Sequence, residues 1–176
     1  EFVLSDMPIA KKATINVASP GIGTIVLGGS DLDGDDLTYT VNSYSLPAGA
    51  LLKRFDFDNV GSETGSSTIS FSGGNNVLQD DRVEFIAPGD AKGTNYASFS
   101  YFVTDSEGNT SDLKEVIVSI NAKPLLETTT PSLDIELGDT EIISSQHLYT
   151  SDRDELGRNV LYTLKNIPEY GVLKLD

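Results

Sequence analysis

Apolar and polar residues alternate over most of the first 121 positions of the chain. In residues 37–41, Leu37, Tyr39 and Val41 alternate with polar residues, which is the period-two pattern of a strand with one buried face. Residues 97–104 and 115–120 repeat this pattern. The residues predicted to face the core there are Phe99, Tyr101, Val103, Val116, Val118 and Ile120. Segments rich in β-branched and aromatic residues predict further strands at 13–17, 23–27, 68–72 and 82–86.

Clusters of Gly, Pro, Asn, Asp and Ser separate these segments and predict turns. They lie at residues 19–21, 47–49, 61–67, 73–76, 88–90 and 106–109. No window shows a helical stripe of more than two turns. Many short strands at spacings of about 8 to 15 residues predict an all-β chain folded as an antiparallel β-sandwich.

The chain also repeats part of its own sequence at an offset of 121 residues. Three blocks recur in the same order, the second after a two-residue insertion: 30–33 as 151–154, 37–41 as 160–164, and 47–53 as 168–174. A fixed period of this kind is typical of tandem-repeat proteins. We therefore predict one full repeat over residues 7–122 and the beginning of a second over residues 123–176. The chain is then expected to be a piece of a longer array.

Charge and composition exclude several classes of partner. The 27 acidic and 12 basic side chains give a net charge of −15, which would repel nucleic acid phosphates and anionic lipid. The chain has no Cys, so a disulfide framework and a thiolate metal site are excluded. No apolar run approaches the roughly 18 residues of a membrane helix, and no leader pattern is present. We predict no nucleic acid partner and no membrane insertion of this segment.

The acidic residues are clustered, and this makes a cation the natural partner. No Lys or Arg occurs from Ala13 to Leu52, a window that contains Asp31, Asp33, Asp35 and Asp36. Such carboxylates cannot all stay close and ionised without a counter-charge, so they spread into solvent, protonate in part or bind a cation. Oxygen ligands without His or Cys favour Ca²⁺ or Mg²⁺. The alternative is an acidic turn whose Asp and Gly residues serve turn geometry alone.

A second acidic cluster contains Asp152 and Asp154, which occupy the places of Asp31 and Asp33 in the second repeat. Arg153 and Arg158 lie in the same stretch, so their positive charges offer an alternative to a metal ion for neutralising these carboxylates.

These motifs resemble those of a known family. Residues 31–41 and 99–109 resemble the opening and closing motifs of cadherin-like tandem repeats in large bacterial surface proteins. Residues 146–154 and 161–175 are similar to the related repeat of chondroitin sulfate proteoglycan cores. The resemblance implies a cadherin-like (Ig-like) Greek-key β-sandwich with Ca²⁺ at the junctions between repeats. Carried onto this chain, the ligands are Asp31, Asp33 and Asp105 in the first repeat and Asp152 and Asp154 in the second. The linker at 121–124 departs from the Asp-rich family pattern.

These observations predict a non-enzymatic protein. His147 is the only imidazole, no pair of acids is singled out by spacing, and there is no Trp to stack on sugar rings. We predict an extracellular or cell-surface structural or adhesion module of a tandem-repeat or filament protein, stiffened by Ca²⁺ at its junctions. Its expected partners are neighbouring repeats of the same chain, with other copies or a glycan as further candidates. The alternative is a carbohydrate- or partner-binding accessory module of a larger surface protein or secreted enzyme.

Overall fold

The structure is a computed structural model that describes residues 6–18, 21–71, 76–127, 132–152, 160–163, 165–166 and 170–174. All of the regular secondary structure within these residues consists of β-strands. No helix in this part of the chain is long and apolar enough to cross a membrane. The strands are β1 (Ile9–Ala10), β2 (Ala13–Ala18), β3 (Ile22–Val26), β4 (Gly29–Ser30), β5 (Thr38–Ser45), β6 (Leu51–Phe57), β7 (Glu63–Thr68), β8 (Arg82–Ile86), β9 (Gly93–Thr104), β10 (Lys114–Asn121), β11 (Leu125–Leu126) and β12 (Thr150–Ser151).

Two four-stranded sheets form the main body of the molecule, in the orders β2-β10-β9-β5 and β3-β8-β6-β7. Both sheets contribute side chains to one hydrophobic core, whose largest fully buried members are Tyr101, Phe85, Phe99, Ile25, Leu52 and Ile69. The prediction of an all-β chain is confirmed, and the shared core is consistent with a β-sandwich. Two further pairs, β1-β4 and β11-β12, lie outside these sheets.

The strand pattern of β9 and β10 is confirmed residue by residue. Phe99, Tyr101 and Val103 on β9 and Val116, Val118 and Ile120 on β10 are at most 2% exposed. These residues alternate with more exposed ones because successive side chains of a strand point to opposite faces of the sheet.

One pairing differs from the predicted antiparallel arrangement. β10 runs parallel to β2, from Val116 opposite Ala13 to Asn121 opposite Ala18, while the other named strand pairs are antiparallel. Parallel neighbours need a long connection, and here that connection is the rest of the domain. The first and last strands of the sandwich therefore lie side by side.

The predictions of a turn at 61–67 and of a strand over 68–72 are wrong for residues 61–71, and residue 72 lies outside the described residues. Residues 61–67 were predicted as a turn, but Glu63–Thr68 is strand β7, and Ile69, predicted to lie in a strand, is buried beyond its end. Strand β6 was not predicted at all. β7 is a Ser-, Thr- and Gly-rich edge strand without apolar alternation, so only its hydrogen bonds to β6 make it a strand.

A tyrosine in the core fixes the short β1-β4 pair. The hydroxyl of Tyr101, which is fully buried, lies 2.7 Å from the carbonyl oxygens of both Lys11 and Gly28 and accepts a hydrogen bond from the Lys11 amide at 3.2 Å. A Cβ atom at Gly29 would come within 2.7 Å of the Tyr39 hydroxyl, so this close approach requires glycine. Tyr101 thereby sets the direction in which the chain leaves β4.

Replacing Tyr101 with Phe should weaken this arrangement. The variant removes the hydrogen bonds of the hydroxyl, while the Lys11 amide and the Gly28 carbonyl keep their 3.0 Å bond to each other, so we expect the free energy of unfolding to fall by about 0.5–1.5 kcal/mol. Tyr39→Phe is the matched control, because Tyr39 stacks on Tyr101 with ring centroids 6.3 Å apart but its hydroxyl makes none of these bonds. Urea unfolding measures both variants, and equal losses would contradict the assigned role of the Tyr101 hydroxyl.

Candidate metal centre

The loop that follows β4 brings three predicted ligands together. Each of Asp31, Asp33 and Asp35 offers one carboxylate oxygen, and these atoms lie within 4.8 Å of one another. The amide of Asp33 donates to Asp31 Oδ1 at 2.8 Å, and Gly34 adopts a φ of +86°, a conformation that favours glycine. This tight local turn places alternate carboxylates on the same side of the loop.

The second carboxylate oxygen of Asp31 has no protein partner. Asp31 Oδ2 is buried and accepts no hydrogen bond. Among the described residues, none of the ion pairs involves Asp31, Asp33 or Asp35. A buried carboxylate oxygen without a donor is costly, because desolvation of its charge is not offset. The cluster therefore has the charge and the open coordination that suit a cation.

The loop between β9 and β10 adds a further carboxyl group beside this cluster. Ser106 Oγ donates to Asp35 Oδ1 at 2.9 Å. The pKa of Glu107 is raised above its ordinary value, chiefly by a hydrogen bond to Asp35; desolvation and repulsion from Asp35 and Asp105 add to this, and a hydrogen bond from Ser106 opposes it. Sequence reasoning missed Glu107. The available signal was its position two residues after Asp105, in a loop already expected to contribute a ligand.

Asp105 has a different environment from the three clustered aspartates. Its side chain is 6% exposed, and its two oxygens accept hydrogen bonds from the Asn109 amide at 2.7 Å and Asn109 Nδ2 at 2.8 Å. Burial by itself would raise the pKa of Asp105, but the bonds from Asn109 and from the Gly108 and Glu107 amides outweigh it and lower the pKa. Asp105 is thus held ionised and fixes the loop that carries Ser106 and Glu107.

The chain that precedes β1 reaches the same cluster. The amide of Asp6 donates to Asp33 Oδ2 at 2.7 Å. The cluster therefore lies where the segment entering the domain meets the β4 loop and the β9-β10 loop. A cation bound here would link these three segments.

The second predicted site partly repeats this geometry. The amide of Glu127 donates to the Tyr149 carbonyl at 2.8 Å, as the Lys11 amide donates to the Gly28 carbonyl at 3.0 Å. Each of these bonds adjoins a two-residue pair, β11-β12 or β1-β4, after which Asp152 or Asp31 follows. Asp152 Oδ1, like Asp31 Oδ2, is buried and without a partner. Asp154, Arg153 and Arg158 lie outside the described residues.

Fold and cluster together define the chain as an all-β domain with an uncompensated carboxylate cluster next to its first strand pair. No protein-family model matches the chain. It is similar to Extracellular matrix protein 3 of Lytechinus variegatus, with 31% identity over 78 residues. The matched region is 44% of this chain and only 2% of that much longer protein.

The bond network of Asp105 predicts a pH-dependent contribution to stability. Because its pKa is lower in the folded chain, the contribution is complete above the unfolded value of about 3.8 and is lost as the pH falls through the folded pKa. Asp105→Asn should therefore lower the urea midpoint near pH 6 and differ progressively less from the parent chain below pH 4.

The control for this experiment is Asp90→Asn, which changes an exposed aspartate in another turn. Both variants are measured in EDTA, so that cation binding does not contribute. A midpoint difference for Asp105→Asn that stays constant from pH 6 to pH 3 would contradict the assigned role.

Proposed function

We propose that this chain is a non-enzymatic extracellular structural or adhesion module of a tandem-repeat surface protein, and that Ca²⁺ binds at Asp31, Asp33 and Asp35. Two observations carry the proposal. Three carboxylate oxygens, one from each aspartate, lie within 4.8 Å of one another. In addition, Asp31 Oδ2 is buried and has no hydrogen-bond partner. Ca²⁺ takes six to eight oxygen ligands in flexible geometry, which suits a loop of aspartates and backbone carbonyls. Glu107, which is hydrogen-bonded to Asp35, and the predicted ligand Asp105 are candidates for completing the shell.

The cadherin-like Greek-key topology belongs to this proposal. In its favour, the entering segment pairs first with β4 as β1 and then runs parallel to β10 as β2. The chain thus moves from the β1-β4 pair into the sheet in which β10, the last strand of the domain, is its neighbour. The described sheet orders are compatible with an Ig-like sandwich.

The extracellular and repetitive character of the chain rests on two observations. The similarity to a far longer extracellular matrix protein supports an extracellular, structural setting. The recurring strand pair with its following aspartate, seen at Asp31 and Asp152, supports tandem repetition. Neighbouring repeats would then be the main partners, with cations near the junctions reducing bending of the array.

The energetic effect of one such site is modest. Extracellular calcium sites have dissociation constants of about 10⁻⁴ to 10⁻³ M. At a Ca²⁺ concentration ten times the dissociation constant, binding stabilises the folded state by RT ln 11, about 1.4 kcal/mol. The effect recurs at every junction of an array.

Asp31→Ala combined with Asp33→Ala should abolish Ca²⁺ binding by the first repeat. The matched control is Asp58→Asn with Asp90→Asn, which removes two negative charges elsewhere and so separates a site from general acidity. Titration calorimetry measures binding, and thermal unfolding with Ca²⁺ or EDTA measures stabilisation. We expect the melting temperature of the parent chain and of the control to rise in Ca²⁺, and that of the double alanine variant to stay constant.

Two results would overturn the calcium proposal. One is the absence of Ca²⁺ binding to the parent chain at millimolar concentration. The other is equal binding by the double alanine variant and the parent, which would assign Ca²⁺ uptake to net charge alone.

A carbohydrate-binding function is the second candidate, and one feature of the sheet surface favours it. Two shallow depressions of about 260 and 210 Å³ adjoin on the outer face of β5, β9 and β10 and share Ser45, Ser98 and Glu115. Hydroxyl and carboxylate groups of this kind can hydrogen bond to sugars, and Tyr96 lines the larger depression.

This alternative is tested by glycan-array binding of the parent chain and of Glu115→Ala. Specific binding that depends on Glu115 would favour a binding module over a spacer. If the array retains no glycan-bound protein and Ca²⁺ binds at the loop after β4, the structural module is favoured.

A further inference from the structure

Asp33 directly precedes Gly34 in the exposed loop after β4. This is the only Asp-Gly pair in the sequence, and no Asn-Gly pair occurs. In such a pair the backbone nitrogen of the glycine is able to attack the side-chain carbon Cγ of the residue before it, because glycine has no Cβ to obstruct the approach. The pair is therefore a candidate for a covalent rearrangement of the main chain.

The structure leaves this nitrogen available for the attack. Gly34 is exposed, and a Cβ atom at this position would meet no atom within 4 Å. No described residue accepts a hydrogen bond from the Gly34 amide. Asp33 is also exposed, and its Oδ2 accepts a hydrogen bond from the Asp6 amide at 2.7 Å, which draws electron density away from Cγ. The nucleophile is thus unengaged, and the carbon that it would attack is polarised.

The exposed Asp90 shows how the loop after β4 differs from another turn of the domain. The residue that follows, Ala91, is 4% exposed, and its amide donates to the Pro88 carbonyl at 3.1 Å. Its nitrogen is therefore held in the turn and faces a Cβ of its own residue. Exposure of the aspartate is common to both turns, whereas a free and unhindered amide is found after Asp33.

We propose that Asp33 converts spontaneously to isoaspartate through a succinimide. The Gly34 nitrogen bonds to Asp33 Cγ, a C–O bond of the protonated carboxyl group breaks, and the amide proton leaves with the hydroxyl group as water. A second water molecule then opens the ring at either carbonyl carbon, which restores aspartate or forms isoaspartate. Water is the only co-reactant, and the product has the same composition as the starting chain.

The rearrangement changes the geometry of the acidic cluster. In isoaspartate the main chain runs through the former side chain and gains one CH₂ group, while the carboxylate is attached directly to Cα. The carboxylate of residue 33 is thereby withdrawn from the position in which its oxygen lies within 4.8 Å of those of Asp31 and Asp35. The hydrogen bond from the Asp6 amide is lost with it. The reaction therefore limits the lifetime of the cluster.

The test incubates the parent chain at neutral pH in EDTA and in water labelled with heavy oxygen. Trypsin then releases residues 13–53 as one peptide, because no Lys or Arg occurs from Ala13 to Leu52. We expect this peptide to gain heavy oxygen at residue 33, since each ring opening takes one oxygen atom from water. A methyltransferase specific for isoaspartate should modify the same residue. Asp90 should remain unlabelled.

Two variants separate the loop geometry from the sequence motif. Asp33→Glu keeps the charge but requires a larger, slowly forming ring, so labelling and methylation at residue 33 should be lost. Ala91→Gly creates a second Asp-Gly pair in a turn whose amide is hydrogen-bonded, and Asp90 should still remain unlabelled. Absence of label at Asp33 in the parent chain, or labelling of Asp90 in Ala91→Gly as fast as that of Asp33, would overturn the inference.

The inference goes beyond the proposed Ca²⁺ site and does not depend on it. If only the cation-free chain reacts, Ca²⁺ at ten times its dissociation constant should slow labelling of Asp33 about 11-fold, because that is the factor by which binding depletes the free chain. Labelling at equal rates in Ca²⁺ and in EDTA would contradict Ca²⁺ binding by Asp33, and it would support the rearrangement itself.

Discussion

The hydrogen bonds of the Tyr101 hydroxyl are the interaction on which the geometry of the acidic cluster depends. This side chain is buried between the sheets, and its hydroxyl contacts backbone groups of Lys11 and Gly28 on two different segments. Those segments form the β1-β4 pair, and the next residue after the pair is Asp31. The phenol group of Tyr101 thus couples the packing of the core to the position of the Asp31 carboxylate. Burial raises the pKa of Tyr101, so its hydroxyl stays protonated and can donate.

Mutual repulsion in the cluster is opposed by hydrogen bonds that come from its own loops. Backbone amides of Asp33 and Asp6 and the hydroxyl of Ser106 each donate to one clustered carboxylate. They hold the aspartates close together but leave Asp31 Oδ2 without a donor and Glu107 against Asp35. A divalent cation bound here would offset this repulsion, which is the physical basis of the proposed Ca²⁺ site.

The described residues before and after position 122 differ in how much apolar surface they bury. A backbone bond beside β11-β12 matches one beside β1-β4, yet large apolar residues after it, such as Leu161 and Val172, are exposed. Local pairing needs only the residues of the pair, whereas burial of Leu52 or Tyr39 needs strands that lie far along the chain. Folds dominated by such distant contacts are expected to fold slowly.

The sequence alone determined the all-β class, the inward faces of β9 and β10, and the clustering of Asp31, Asp33 and Asp35, because period-two alternation and charge clustering are local properties of the chain. It did not reveal β7, whose polar residues become a strand only through pairing with β6, nor the parallel pairing of β2 with β10. It also did not reveal the hydrogen bonds of both Asp105 oxygens to Asn109, or the approach of Glu107 to Asp35. These features were decided by the tertiary structure, since partners of edge strands and loops are chosen by distant segments that meet only after the sheets have packed.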